Sequence, residues 1–411
     1  MSSIMLSSNA NSAMIQTVSA SDSMKNPNIY STETVFPAHA LTWVKCDSSS
    51  GSIDDGAQLN FQLQKYGIIS QMLLVYEKEF GTAAQAVLPA GDVFRTIRQV
   101  ELLASSKTVS ILTAEDLMAQ FSDCSQSEFN VVKSTALQAR TAAGTTTTGG
   151  KRHRFVVPLC FPQFEMINCQ LDSSFLEPLQ VRITWNTIKS SGATYATVGM
   201  PVCQLKMRYK NYSEQDTAAM ISANYSAPQL NQLSARFYDE AKKTVSIAAT
   251  GSDNTVQKTD IDLKNTECVE SFYVILKKKQ ATSAAGDFAC HPISLLKFTG
   301  SGQEICELDE TDLQYARLGM DGWSEQVDIE TSASGVLLAK IGKIQLGLNT
   351  KQKATNSLSL REVNAPRIEV QWNHAASGTN VVEYEITVVQ KVLAVFATSS
   401  ATGRYSLALA N

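Results

Sequence analysis

Beyond residue 27, hydrophobic and polar side chains alternate along much of the chain with a period of two. Leu59, Phe61 and Leu63 alternate with Asn60, Gln62 and Gln64; Val181, Ile183 and Trp185 alternate with Arg182 and Thr184. The same rhythm recurs at Leu205, Met207 and Tyr209, at Ile261 and Leu263, at Ile368, Val370 and Trp372, and at Val382, Tyr384, Ile386 and Val388. Successive strand side chains point to opposite faces, so each stretch predicts a strand with one face in a core. Helix signals are brief. Residues 113–121 open with Thr113 and Asp116 at capping-box spacing, residues 309–318 open with Asp309 and Asp312, and residues 213–223 open with Ser213 and acidic residues in the first turn.

The pattern is carried twice. Residues 94–118 recur as residues 290–314 at one offset of 196, without a gap. That offset lays Ile97 on Ile293, Val100 on Leu296, Leu102 on Phe298, Ser105 on Ser301, Val109 on Ile305, Leu112 on Leu308, and Asp116 with Leu117 on Asp312 with Leu313. Upstream, residues 68–79 lie on residues 268–279 at an offset of 200; downstream, residues 179–186 lie on residues 366–373 at 187, with Trp185 over Trp372. Offsets drift in this way when loops change length and strands do not. The chain is therefore two copies of one unit, each near half of it. Many short strands, one short helix at an equivalent place and no βαβ alternation predict a β-sandwich for each copy. Periodicity leaves open whether the sandwich is a jelly roll or immunoglobulin-like, although each copy exceeds the roughly 100 residues of an immunoglobulin domain.

Composition narrows the function classes. A chain of 411 residues accommodates two cores. The formal net charge of −4 excludes a generally basic nucleic-acid binder. Within residues 1–27 only Asp22 and Lys25 are charged, whereas a phosphate grip with strong salt dependence takes about six or more basic contacts. No leader pattern or membrane-spanning run is expected from the sequence. Eight cysteines without a CxxC pair are expected to be free thiols of a reducing compartment.

The chain shows no GxSxG, HExxH, Walker-type or GxGxxG motif, and none of His39, His153, His291 and His374 has a nucleophile motif beside it. Glu115, Asp116, Asp309, Glu310 and Asp312 cluster at helix starts, where capping accounts for them better than acid/base catalysis. Cys290, His291 and Cys306 lack zinc spacing and a fourth ligand, so a buried structural pair is expected. Trp185 and Trp372 share phase with Val and Ile and are expected in the core rather than as sugar-stacking platforms. Lys277, Lys278 and Lys279 are expected to end a strand in solvent, and the basic end of the loop at residues 141–154 to be a solvated rim. Asn211 and Asn224 each head an NYS sequon. No catalytic, cofactor or metal residue is assigned.

The stretches RFVVPLCFPQFE (154–165), LDSSFLEPLQVRITWN (171–186) and LKMRYKNYSEQDTAAMISANY (205–225) resemble the double jelly-roll major capsid proteins of tailless icosahedral DNA viruses, a group spanning large eukaryotic DNA viruses and membrane-containing phages. The resemblance covers about residues 35–395, with a departure at residues 337–349, where the aromatic-rich stretch is not clearly repeated. It implies an all-β fold of two tandem jelly rolls: an arm at 1–27, a first roll at 28–212, a helical connector at 213–228, a second roll at 229–395 and a tail at 396–411. It further implies a homotrimer whose six rolls make a pseudo-hexagonal tile in the shell of a virion assembled inside the host cell. Its partners are then neighbouring capsomers and minor capsid proteins, the arm ties to a neighbour or an internal membrane, and no enzyme activity or direct nucleic-acid contact is expected. The rival classes are a two-jelly-roll glycan amidase and a tandem β-sandwich lectin or adhesin.

Overall fold

The computed structural model describes residues 39–80, 85–88, 91–124, 130–138, 140–143, 152–161, 173, 177–186, 190–192, 195–213, 231–247, 255–264, 269–279, 289–315, 341–346, 358–374, 381–400 and 405–409. The expected arm, nearly all of the expected connector, and Asn224 lie outside them.

The first half contributes β1 (His39–Cys46), β2 (Ser50–Gly51), β3 (Gln58–Gln62), β4 (Ile68–Phe80), β5 (Gln85–Leu88), α1 (Asp92–Thr96), β6 (Ile97–Ala104), β7 (Lys107–Thr113), α2 (Ala114–Ser122), β8 (Arg140–Ala143), β9 (Arg152–Pro158), β10 (Leu179–Trp185), β11 (Ser190–Gly192) and β12 (Tyr195–Tyr212). One antiparallel sheet runs β1-β12-β4-β9, with β11 on β12; the facing sheet runs β2-β3-β10-β6-β7, and β5 pairs with β8. Met72, Leu74, Tyr76, Leu205 and Met207 from the first sheet and Leu59, Phe61, Val181, Ile183 and Trp185 from the second are essentially sealed from solvent. All but Met72, Leu74 and Tyr76 are alternating positions read from the sequence.

The second half repeats the plan with β13 (Asn231–Ile247), β14 (Thr255–Asp262), β15 (Val269–Lys279), β16 (Ala289–Cys290), β17 (Leu295–Gly300), β18 (Gln303–Asp309), α3 (Glu310–Tyr315), β19 (Gly342–Gln345), β20 (Arg367–His374), β21 (Val382–Ser400) and β22 (Tyr405–Leu409). Its sheets run β13-β21-β15-β16, with β19 on β15 and β22 on β21, and β14-β20-β17-β18. Both halves thus pair their strands in one order, first with last and inner with inner, which is the jelly roll. Two jelly rolls in tandem are the all-β architecture that the sequence resemblance implied.

Register confirms the duplication residue by residue. Val100 lies opposite Ile183 as Leu296 lies opposite Val370, and Leu102 opposite Val181 as Phe298 opposite Ile368. Between β6 and β7 the hairpin turns through Ser105 (φ 45°) and Ser106 (φ 72°); between β17 and β18 it turns through Ser301 (φ 54°) and Gly302 (φ 74°). A two-residue hairpin of this twist needs both central residues left-handed, and the two copies meet that need with different residues. Ile97 opens β6 whereas Ile293 precedes β17, but both are buried.

Three expectations need correction. The ends of the expected loop at 141–154 are strand, because β8 zips onto β5 and β9 onto β4; Arg152 and Arg154 face Glu79 and Glu77 across the latter pairing. Residues 396–400 and 405–409, expected in a tail, continue β21 and return as β22, with Phe396 opposite Leu409. Finally α1, which the sequence reading did not find, starts at the left-handed Gly91 and holds Asp92 against Lys78 at 2.5 Å, both buried.

Candidate functional site

On β15 the side chains of Phe272, Val274 and Leu276 enter the second roll's core, so Tyr273, Ile275 and Lys277 point to the sheet's other face. That outer face is nevertheless buried, and the cover comes from the first roll. Tyr273, Ile275, Cys290, Ile341 and Val389 belong to the hydrophobic cluster built mainly by the first half, which includes Leu117, Met118 and Phe121 of α2. The apolar cores of the two rolls meet through this helix.

The placement of α2 is local in origin. The Thr113 hydroxyl accepts from the Asp116 N–H at 3.1 Å and the Asp116 carboxylate accepts from the Thr113 N–H at 2.8 Å, a reciprocal capping box that starts the helix directly off β7. Every residue from Ala114 to Phe121 is buried. A surface helix would expose one flank; this one is a plug.

Around the plug the second roll supplies Lys242, Lys277, Lys343, Lys391 and one carboxylate, Glu240, and the first roll supplies Glu115, Asp116 and Asp123. Asp123, at the C-terminal cap of α2, accepts from Lys343 at 2.6 Å, from Lys391 at 2.5 Å and from the Tyr273 hydroxyl. Glu115 accepts from Lys277 and lies 3.5 Å from Lys242. Burial works against ionising Glu115, yet Lys277 and Lys242 together outweigh it and hold its pKa at about 2. The same competition, won by Lys343 and Lys391, keeps Asp123 well below the usual carboxylate range. Asp116 goes the other way. Burial first, then the charge of Glu240, raises it, and the hydrogen bonds from Thr113 only moderate the effect. Glu240 in turn accepts from the Thr113 hydroxyl.

Desolvation consumes much of the Coulomb gain of buried pairs, so the apolar contacts hold the rolls together. The charges act on geometry. A different docking angle strands Lys277, Lys343 or Lys391 in an apolar seam without its carboxylate, which costs several kcal/mol per group, of order 3–5. The seam is therefore a rigid, directional joint in which a helix of one roll is seated on the outer sheet of the next.

No protein-family model and no curated protein sequence matches the chain. Solved structures do. PBCV-1 VP54, in a structure fitted into a reconstruction of the virophage Sputnik, superposes with a TM-score of 0.65 at 13% identity, over 92% of this chain and 98% of that one. The Faustovirus major capsid protein gives 0.57 at 9% over 96% and 98%, and the mavirus major capsid protein 0.55 at 10% over 90% of both chains. The fold is the double jelly roll of viral major capsid proteins.

Within this double jelly roll the residues singled out in the sequence fall as follows. Trp185 and Trp372 are fully buried, Trp185 edge-on to Tyr76 and Trp372 tilted against Tyr384. Cys290 and Cys306 do not form the expected pair: the former joins the first roll's cluster and the latter packs against the second's, because they stand on different sheets. His291 Nε2 meets the Asn373 carbonyl at 2.7 Å, and His374 Nδ1 meets the Tyr384 hydroxyl at 3.0 Å. Among the described residues no group of three or more His, Cys, Asp or Glu could hold a metal ion. Asn211 lies within β12 and donates to Thr42 at 2.9 Å. The six described cysteines are free thiols.

Lys277 overturns its expectation. It is 4% exposed and sits at the centre of the seam instead of ending a strand in solvent. Glu115, expected only as a capping residue, is its partner. The sequence held a usable signal: residues 272–276 are apolar on both phases, the mark of a strand covered on two faces. Asp123, Lys343 and Lys391 carried no such signal, since nothing local distinguishes them from surface charges.

Proposed function

We propose that this chain is the major subunit of an icosahedral viral capsid, assembling as a homotrimer whose six jelly rolls form a pseudo-hexagonal tile. The observation that carries the reading is the similarity to major capsid proteins across both rolls, over nearly the whole of each compared chain. The seam adds a physical reason. Two similar rolls joined rigidly, with one roll's helix on the next roll's sheet, form a heterologous contact, and such contacts close into rings when the rotation allows. Three chains then present six similar edges.

On this reading the protein works by shape and edge complementarity and not as an enzyme. Its partners are neighbouring capsomers and minor capsid proteins in the virion. Residues 1–27, with two charged side chains, tie to a neighbouring subunit, a minor protein or an internal membrane, and make no direct contact with nucleic acid. Light scattering on the purified protein from nanomolar to micromolar concentration tests the trimer. The expected mass is three times that of the 44.7 kDa chain, unchanged on dilution. A monomer throughout that range overturns the capsid reading.

A further inference from the structure

The buried joint inside the chain has an unfilled counterpart on the outside. In the sheet alignment Leu74 lies opposite Leu205 as Val274 lies opposite Val388, which sets Lys206 on Val389 and Arg208 on Lys391. Lys45 lies opposite Lys206 as Glu240 lies opposite Val389, so Lys45 stands where Glu240 stands. Each has a neighbour of opposite sign two residues on, Asp47 at 3.2 Å from Lys45 and Lys242 at 2.9 Å from Glu240. The first roll thus carries the same seat with the signs exchanged at Lys45, at Asp47 and at Glu77, which takes the place of Lys277, while Arg208 keeps the sign of Lys391.

That seat is open. Leu41 is 53% exposed and Trp43 51%, both on the outward face of β1, with the Arg208 guanidinium 5.7 Å from the Trp43 ring. Around them Lys45, Lys206, Arg208 and Lys210 outnumber Asp47 and Glu77, so the face is basic on balance. Exposed apolar side chains rimmed by polar residues mark an interaction surface. The first turn of the plug's duplicate is uncovered as well. α3 repeats the reciprocal cap of α2, with Asp309 and Asp312 in the roles of Thr113 and Asp116, yet Asp309, Glu310, Thr311 and Asp312 are all exposed.

We propose that α3 of one copy docks on the outer β1-β12-β4 face of a second copy, with Asp309 and Asp312 against Lys45, as α2 docks within the chain. The inference rests on the trimer proposed above and names the surface that closes it. Charge favours this occupant. Inside the chain Glu240 crowds an acidic helix start, whereas between copies Lys45 meets one. An α3 from a second copy is an acidic helix of the right shape for a basic seat whose internal twin already holds its duplicate.

Light scattering and oxidative cross-linking test the proposal together. Lys45→Glu and Asp312→Lys should each raise the trimer dissociation constant by at least about thirtyfold, and the double reversal should bring it back toward the wild-type value. Lys45 and Asp312 are both exposed, so circular dichroism should show every variant folded. Independently, Lys45→Cys combined with Asp309→Cys should give covalent trimers on mild oxidation, and neither single variant should. Trimers that survive both single reversals, with no cross-link from the cysteine pair, overturn this docking while leaving the trimer standing. A monomeric wild type overturns the trimer and this docking with it.

Discussion

Two helices of one ancestry end in opposite surroundings. α2 and α3 follow the same hairpin, begin with the same reciprocal cap and carry a leucine at the matching position, Leu117 and Leu313. The first is buried from Ala114 to Phe121 under the second roll; the first turn of the second stands in solvent. Sequence similarity therefore does not set burial here. What differs is the neighbour: α2 has a roll of its own chain to sit on, and α3 faces outward where a second copy would have to supply one.

The largest effect should come from Asp123, which holds two lysines in the seam. Asp123→Ala leaves Lys343 and Lys391 without their shared carboxylate and should lower stability by about 3–5 kcal/mol in chemical unfolding. Glu310→Ala on the exposed α3 should change monomer stability by less than about 0.5 kcal/mol. Equal losses from the two variants would erase the contrast between the helices.

Next in size are the aligned leucines. Leu117 is sealed from solvent, so Leu117→Ala should cost about 3 kcal/mol, while Leu313→Ala, at a half-buried site, should cost about 1. A loss at Leu313 matching that at Leu117 would mean α3 is already covered in the isolated subunit.

The smallest and most particular effect concerns pH. The carboxyl of Asp116 is raised in the folded protein, so the folded state holds that proton more tightly than the unfolded state does. Its contribution to stability is complete below the ordinary carboxylate range near pH 4 and is lost as pH climbs toward about 8. Glu115 and Asp123 are depressed, so their contribution is complete above that range and lost as pH falls below it. Stability should therefore peak near pH 4–5 and fall by about 1–3 kcal/mol toward pH 8. Asp116→Asn keeps an oxygen for the Thr113 N–H and should flatten the alkaline limb only. An unchanged slope in that variant would place the titration on another group.

Much of the fold was legible in the chain because its signals are local. Period-two alternation names inward residues from Leu59 to Val388, and the offsets of 196 and 187 together carry the pairing of Val100 with Ile183 onto that of Leu296 with Val370. The capping boxes at Thr113 and Asp309 could be read from spacing alone, since a cap involves residues three apart. The strand at residues 405–409 escaped the reading because it and its pairing partner, residues 396–400, lie outside any repeat.

What the sequence by itself determined is that each copy is a β-sandwich and that there are two of them. Alternation, turn chemistry and helix caps depend on neighbours a few residues apart. Only the tertiary structure decided that Lys277 is buried, that Asp123 gathers Lys343 and Lys391 from 220 and 268 residues away, and that Glu115 does more than cap a helix. A lysine on the outer face of a strand reads as solvent-exposed until something is placed over it, and what covers Lys277 is a helix 162 residues earlier in the chain. Burial at a joint is a property of two surfaces, and no single stretch of sequence contains both.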